Sequence, residues 1–152
     1  MKILNVLCAA TAAVVMMVSC DNEEPKVPPI NPIEEVFYEG LLSVRQSSGT
    51  FYEQDSVLVT FKDSTLATIV MHKVKFSQYM PVILNDMTID SISVEKAAND
   101  IVLAGENLIP TTAGNPYAMY IITDLQGKVT SDSLITTMKC GTYPLSFRGK
   151  KQ

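Results

Sequence analysis

Between Val36 and Phe147 the apolar residues recur at alternate positions in short runs, and turn residues interrupt those runs again and again. A period of two puts alternate side chains on one face of an extended strand, and no stretch of useful length repeats them at helical spacing. The first run, Val36 to Val44, ends at Ser47-Ser48-Gly49. The second, Thr50 to Lys62, carries Val57, Val59 and Phe61 on one face and turns at Asp63-Ser64; Thr65 to Phe76 then runs back with Leu66, Val70, Val74 and Phe76 in phase. Met87-Thr88-Ile89 follows, but the alternation slips by one residue at Asp90-Ser91 before Ile92 and Val94, which implies a bulge or a turn. Ile101 to Ala104, Tyr117 to Leu125, and Val129 to Met138 continue the series, with a long polar loop at Pro110 to Pro116 and a tight turn at Gln126-Gly127. Gly141 turns into Tyr143, Leu145 and Phe147. Such a meander must close or double to hide its edges, so the expected fold is all-β, an antiparallel barrel of about eight strands. No internal repeat at a fixed period is visible.

One segment interrupts the strands. Val74 to Leu84 contains Tyr79, Met80, Val82, Ile83 and Leu84, too densely apolar for a solvated loop. It is expected to form a short central plug closing one barrel end. Pro81 would stop strand pairing there, since it offers no N–H. Ligand entry would then lie at the opposite end, near the Pro110–Pro116 loop.

The N-terminus sets the compartment. Lys2 precedes an uncharged apolar run, Ile3 to Val18, that is short for a membrane span and ends at Ser19-Cys20. This is the pattern of a secretory signal. Met17-Val18-Ser19-Cys20 resembles a bacterial lipobox, which implies cleavage before Cys20 and lipidation of its thiol; an uncleaved anchor or a plain secretory signal is the alternative. Asp21-Asn22-Glu23-Glu24 and then Pro25, Pro28, Pro29 and Pro32 read as an extended tether. The acidic cluster also resembles the signal that exports lipoproteins of the Bacteroides group to the outer face of the outer membrane, although a solvated spacer accounts for it equally. The expected division is therefore a signal peptide over 1–19, a tether over 20–35 and one barrel domain over 36–152.

Charge and cysteine content exclude further classes. The chain carries a net charge of −4, and Lys2 is the only charge ahead of the expected cut. Nucleic-acid binding needs a concentrated positive face and is not expected. Of three cysteines, Cys8 departs with the signal and Cys20 is lipidated. Cys140 then has no partner, which an oxidising compartment tolerates most easily if the thiol is buried and inert.

No reaction-bearing motif is present, and neither a metal site nor a cofactor is expected. His72 is the only histidine. It is in phase with Val70 and Val74, which places it facing inward, and a dyad with Cys140 is conceivable but has no orienting motif. The methionines and tyrosines suggest binding instead. Tyr79, Met80, Met87, Met119, Tyr120 and Met138, with His72, are candidates to line an adaptable apolar cavity, against the plainer reading that they fill the core. Asp55-Ser56, Asp63-Ser64, Asp90-Ser91 and Asp132-Ser133, each followed by Val, Thr, Ile or Leu, resemble the O-glycan acceptor of Bacteroides-group secreted proteins. Ser56, Ser64, Ser91 and Ser133 are the candidate acceptors, and ordinary turn chemistry is the alternative.

Tyr38-x-Gly40, Val74-Lys75-Phe76-Ser77 with Met80-Pro81-Val82, Met87-Thr88-Ile89, Gly141-x-Tyr143 and Phe147-x-Gly149 together resemble the calycin-like domain of Bacteroides-type lipoproteins. The resemblance runs from Tyr38 to Gly149. It implies an eight-stranded, lipocalin-like barrel on a lipid anchor at the outer membrane, displayed at the cell surface or on the periplasmic face, with no established activity. The chain has no tryptophan and so lacks the Gly-x-Trp of lipocalins proper. Two roles follow as expectations: a barrel holding a small hydrophobic ligand, or a solid barrel whose surface meets a protein or glycan partner.

Overall fold

The computed structural model describes residues 34–152. Its strands are β1 (Glu34–Gln46), β2 (Gly49–Phe61), β3 (Leu66–Val74), β4 (Leu84–Ala97), β5 (Asp100–Gly105), β6 (Thr111–Thr112), β7 (Asn115–Pro116), β8 (Ile122–Val129), β9 (Ser133–Cys140) and β10 (Tyr143–Lys151). Eight of them pair antiparallel in the order β3-β2-β1-β10-β9-β8-β5-β4, and β3 pairs with β4 to close the barrel. The small β6–β7 hairpin is attached outside this ring, through Thr88 of β4 opposite Thr111. Closure removes the free edges that an open meander would expose.

Alternation fills the barrel. Leu42, Val57, Val59, Ile69, Met71, Ile89, Leu103, Leu134 and Phe147 point inward and are all but inaccessible to solvent. Each such burial contributes about 1.5–3 kcal/mol, so the interior is the main source of stability. The expected all-β, eight-stranded antiparallel barrel is the observed fold.

Two bulges adjust the alternation. Ala67 faces Ile92 and Ile69 faces Ile89, so β4 carries one residue more than β3 at Asp90-Ser91, with Ser91 at φ +60°. The slip at these residues is thus a bulge within one strand. On β8 the extra residue lies between Thr123 and Gln126, where Asp124 has φ +52°.

Several local expectations need correction. Gln126-Gly127 is inside β8, and the turn lies at 130–132. Gly127 is there because Leu103 covers it: a Cβ would stand 3.1 Å from the leucine Cβ. The strand expected from Tyr117 begins only at Ile122, because Ala118–Tyr120 form a 3-10 turn. On β3 the inward residues are Ala67, Ile69 and Met71, whereas Leu66 is exposed and Val70 and His72 are only partly covered. The alternation fails between Met71 and Val74, where the ladder to β2 stops and the Asp55 carboxylate accepts the Lys73 N–H in its place. Counting inward positions back from Val74 therefore gives the wrong face.

The central plug is also corrected. Tyr79, Val82 and Ile83 are exposed, and only Val74, Phe76 and Leu84 of the segment are buried, with Met80 partly so. The Pro110–Pro116 loop lies at the same barrel end. In an antiparallel meander every second connection returns to one end, and the β3–β4 and β5–β8 connections are two apart. This loop end also holds the β1–β2 and β9–β10 turns. The chain enters at Glu34, opposite Phe61, and leaves at Lys151, opposite Tyr38, both at the other, terminal end.

Candidate functional site

The loop end is sealed by stacked aromatic rings. Phe76 stacks on Tyr120 at 4.7 Å and on Tyr143 at 5.1 Å between ring centroids, and Tyr117 stacks on Tyr120 at 5.5 Å. These offset contacts contribute about 0.5–1.5 kcal/mol each beyond burial. Three connections supply the four rings: Phe76 follows β3, Tyr117 and Tyr120 precede β8, and Tyr143 opens β10.

Hydrogen bonds fix the seal. Gln46 Nε2 donates to the Phe76 carbonyl, and the Phe76 N–H points at Met80 Sδ, 3.5 Å away. Cys140 lies directly beneath, its Sγ 3.6 Å from the Tyr120 carbonyl oxygen. Burial pushes the Cys140 thiol pKa up to about 12, which removes the reactive thiolate. Gly141 has φ +58°, and a Cβ there would come within 2.9 Å of the Met119 carbonyl oxygen. A glycine is needed at that corner.

Outside the seal the loops present apolar side chains to solvent. Tyr79 is 84% exposed, Met119 79%, Val82 59% and Ile109 50%. The two loops that carry them are joined: Thr112 Oγ1 donates to the Asn85 carbonyl at 2.9 Å, and β6 pairs with β4. An apolar rim of this kind marks a contact surface more readily than scattered exposed residues do.

The candidate ligand residues do not form one site. Met87 and Met138 are buried in the core, Tyr120 is part of the seal and Met80 is tucked beside it, whereas Tyr79 and Met119 stand in solvent. His72 faces outward on the barrel wall, with Nδ1 2.7 Å from Asp86 and its ring 5.8 Å from that of Phe37. The inward histidine and the His72–Cys140 dyad are thereby corrected, since Cys140 faces the interior. At the terminal end, a hollow of about 180 Å³ lined by Val36, Tyr38, Phe61 and Val129 is below the roughly 300 Å³ of ordinary ligand pockets.

The aspartates of the four Asp-Ser pairs are each held by hydrogen bonds from the backbone or from neighbouring side chains. Asp63 Oδ1 accepts the Thr65 and Leu66 N–H groups, Asp90 holds its bulge through Lys62 Nζ at 2.6 Å, and Asp132 accepts from Thr130 Oγ1. Ser64 and Ser91 are exposed, while Ser56 and Ser133 are half-buried.

Asp55, which the sequence offers only as half of an Asp-Ser pair, is a buried carboxyl. It is inside the barrel, 5% exposed; its Oδ1 accepts from the Ser56 and Lys73 N–H groups at 2.7 and 2.9 Å, and Oδ2 has no partner among the described residues. Burial raises its pKa from 3.8 to about 6 against those hydrogen bonds. The signal was its parity, for Asp55 shares the inward phase of Val57, Val59 and Phe61.

No family model, curated protein or solved structure matches the chain significantly.

Proposed function

We propose that this chain is a calycin-like lipoprotein of the outer membrane, anchored through Cys20, whose barrel binds a protein partner through the apolar rim at its loop end. The observation that carries this reading is the filled interior beneath a stacked aromatic seal, which leaves the outer surface as the place to bind. The rim lies at the opposite end from Glu34, where the domain joins the sequence expected to carry the anchor. The role is binding rather than catalysis: the one histidine is tied to Asp86 on the outer wall, and the one cysteine of the domain is buried.

Photo-crosslinking in intact cells tests the reading. A crosslinking residue in place of Tyr79 or Met119 should capture one discrete protein, and one in place of Glu95, on β4 toward the terminal end, should not. Capture at all three positions alike, or at none, contradicts it. Mass spectrometry of the mature N-terminus tests the anchor separately, since an unmodified Cys20 removes the lipoprotein claim. The intact mass also decides whether Ser56, Ser64, Ser91 or Ser133 carries glycan.

A further inference from the structure

The outer wall of the barrel carries a trough whose composition is unlike the rim's. Strand register aligns four outward residues in a row across four strands: Tyr52 of β2 faces Ser43 of β1, Ser43 faces Ser146 of β10, and Ser146 faces Thr137 of β9. The three in line after the tyrosine are short hydroxyl residues. Longer side chains flank them, Arg45 and Lys139 toward the loop end and Leu41 and Arg148 toward the terminal end. A row of short side chains bounded by the long row Gln54, Leu41, Arg148 and Ile135 on one side, and by Arg45 and Lys139 with the shorter Thr50 and Pro144 on the other, makes a groove. The hollow over this row measures about 450 Å³, and a second of about 410 Å³ adjoins it over Leu41, Gln54, Ile135 and Arg148.

We propose that this trough binds an extended, carboxylate-bearing polysaccharide chain laid across the strands. Tyr52, 59% exposed at one end of the row, offers an aromatic face for the C–H side of a sugar ring and a hydroxyl for its edge. Ser43, Ser146 and Thr137 supply hydroxyls that both donate and accept, as sugar hydroxyls do. They recur at the inter-strand spacing of about 4.8 Å, close to the length of one pyranose unit along an extended chain. Charge selects the acidic class. Asp124 lines the first hollow but is taken up by Lys139 at 2.7 Å, and Glu39 lines the second beside Arg148 and Lys150; neither Arg45 nor Arg148 has a carboxylate within salt-bridge distance among the described residues, which leaves cationic groups in excess along the trough. An arginine fork matches a carboxylate in bidentate fashion. A peptide strand is a poorer fit, because the closed barrel offers no ladder edge at this face.

The site is separate from the rim, so the two readings fail independently. Affinity electrophoresis of the full-length chain through gels containing polygalacturonate, with dextran as the neutral comparison, tests it. Polygalacturonate should retard the protein and dextran should not. Tyr52→Ala and Arg45→Gln should each weaken the retardation about tenfold, as expected of an interface aromatic or arginine, while the rim variant Met119→Ser should leave it unchanged. Both trough residues are exposed, so neither variant threatens folding. Three results would overturn the proposal: no retardation by polygalacturonate, equal retardation by dextran, or retardation that both trough variants leave intact, which would mark diffuse charge rather than a site.

Discussion

Gly40 of β1 lies directly opposite Gly149 of β10, and neither position has room for a methyl group. A Cβ at Gly40 would collide with the Arg148 carbonyl and the Gly149 Cα; one at Gly149 would meet the Phe147 ring at 2.6 Å. At this seam the first and last strands of the barrel close on each other. Gly40→Ala should therefore destabilise the domain by about 3 kcal/mol, because the obstacle is backbone and cannot turn aside. A urea melt reads this as a midpoint far below wild type; an unchanged midpoint would mean that the strands separate more easily than the register implies.

The buried carboxyl of Asp55 makes stability depend on pH in an unusual direction. Its folded pKa of about 6 lies above the ordinary value of 3.8, so between those values the folded chain holds a proton that the unfolded chain has lost. This contribution is complete below the unfolded pKa and disappears as pH rises through about 6. Asp55→Asn keeps an oxygen for the Ser56 and Lys73 N–H groups without the charge. It should flatten that part of the profile and raise stability at neutral pH by up to about 3 kcal/mol. Denaturant melts of both proteins across this range check it.

Phe76 and Tyr79 lie three residues apart and should behave oppositely on truncation. Phe76→Ala removes the centre of the aromatic seal and should cost about 3–5 kcal/mol. Tyr79→Ala removes a side chain that packs on little and should stay within about 0.5 kcal/mol of wild type. Thermal melts of the two variants distinguish a ring-sealed end from a plugged one.

Much of the fold was legible because β-structure writes itself in parity. The eight strands, the Asp90-Ser91 slip and the turns at Ser47-Ser48 and Asp63-Ser64 follow from alternation and turn residues alone. Parity fails where something other than a ladder partner sets a residue's direction. Asp55 replaces a ladder acceptor near His72, and Gly127 resembles a turn residue although its real constraint is Leu103, distant in sequence. The plug failed for a different reason: apolar density states that a segment must meet something, and it does not say whether that is the core or a partner. The seal draws its rings from three connections, so no one stretch announces it. The shared end of the Val74–Leu84 and Pro110–Pro116 segments could have been deduced by counting strands between them.

Ala98 is the first of two residues joining β4 to β5 and has φ +52°. A side chain in that region is strained and glycine is not, which more than offsets the extra freedom glycine has when unfolded. Ala98→Gly should be neutral to stabilising, by up to about 1 kcal/mol, an outcome rare for a substitution in a barrel wall turn. Equilibrium unfolding in urea measures it.

Binding at the outside of the barrel requires that its interior be filled. Native mass spectrometry of the full-length protein purified from its native cells, followed by titration with a fatty acid series, addresses that directly. A filled barrel gives the mass of the covalent chain alone, with any modification it carries, and takes up no fatty acid stoichiometrically. A single apolar molecule bound per chain, displaced when Leu103→Phe enlarges an interior side chain, would contradict it and restore the cavity as the functional site.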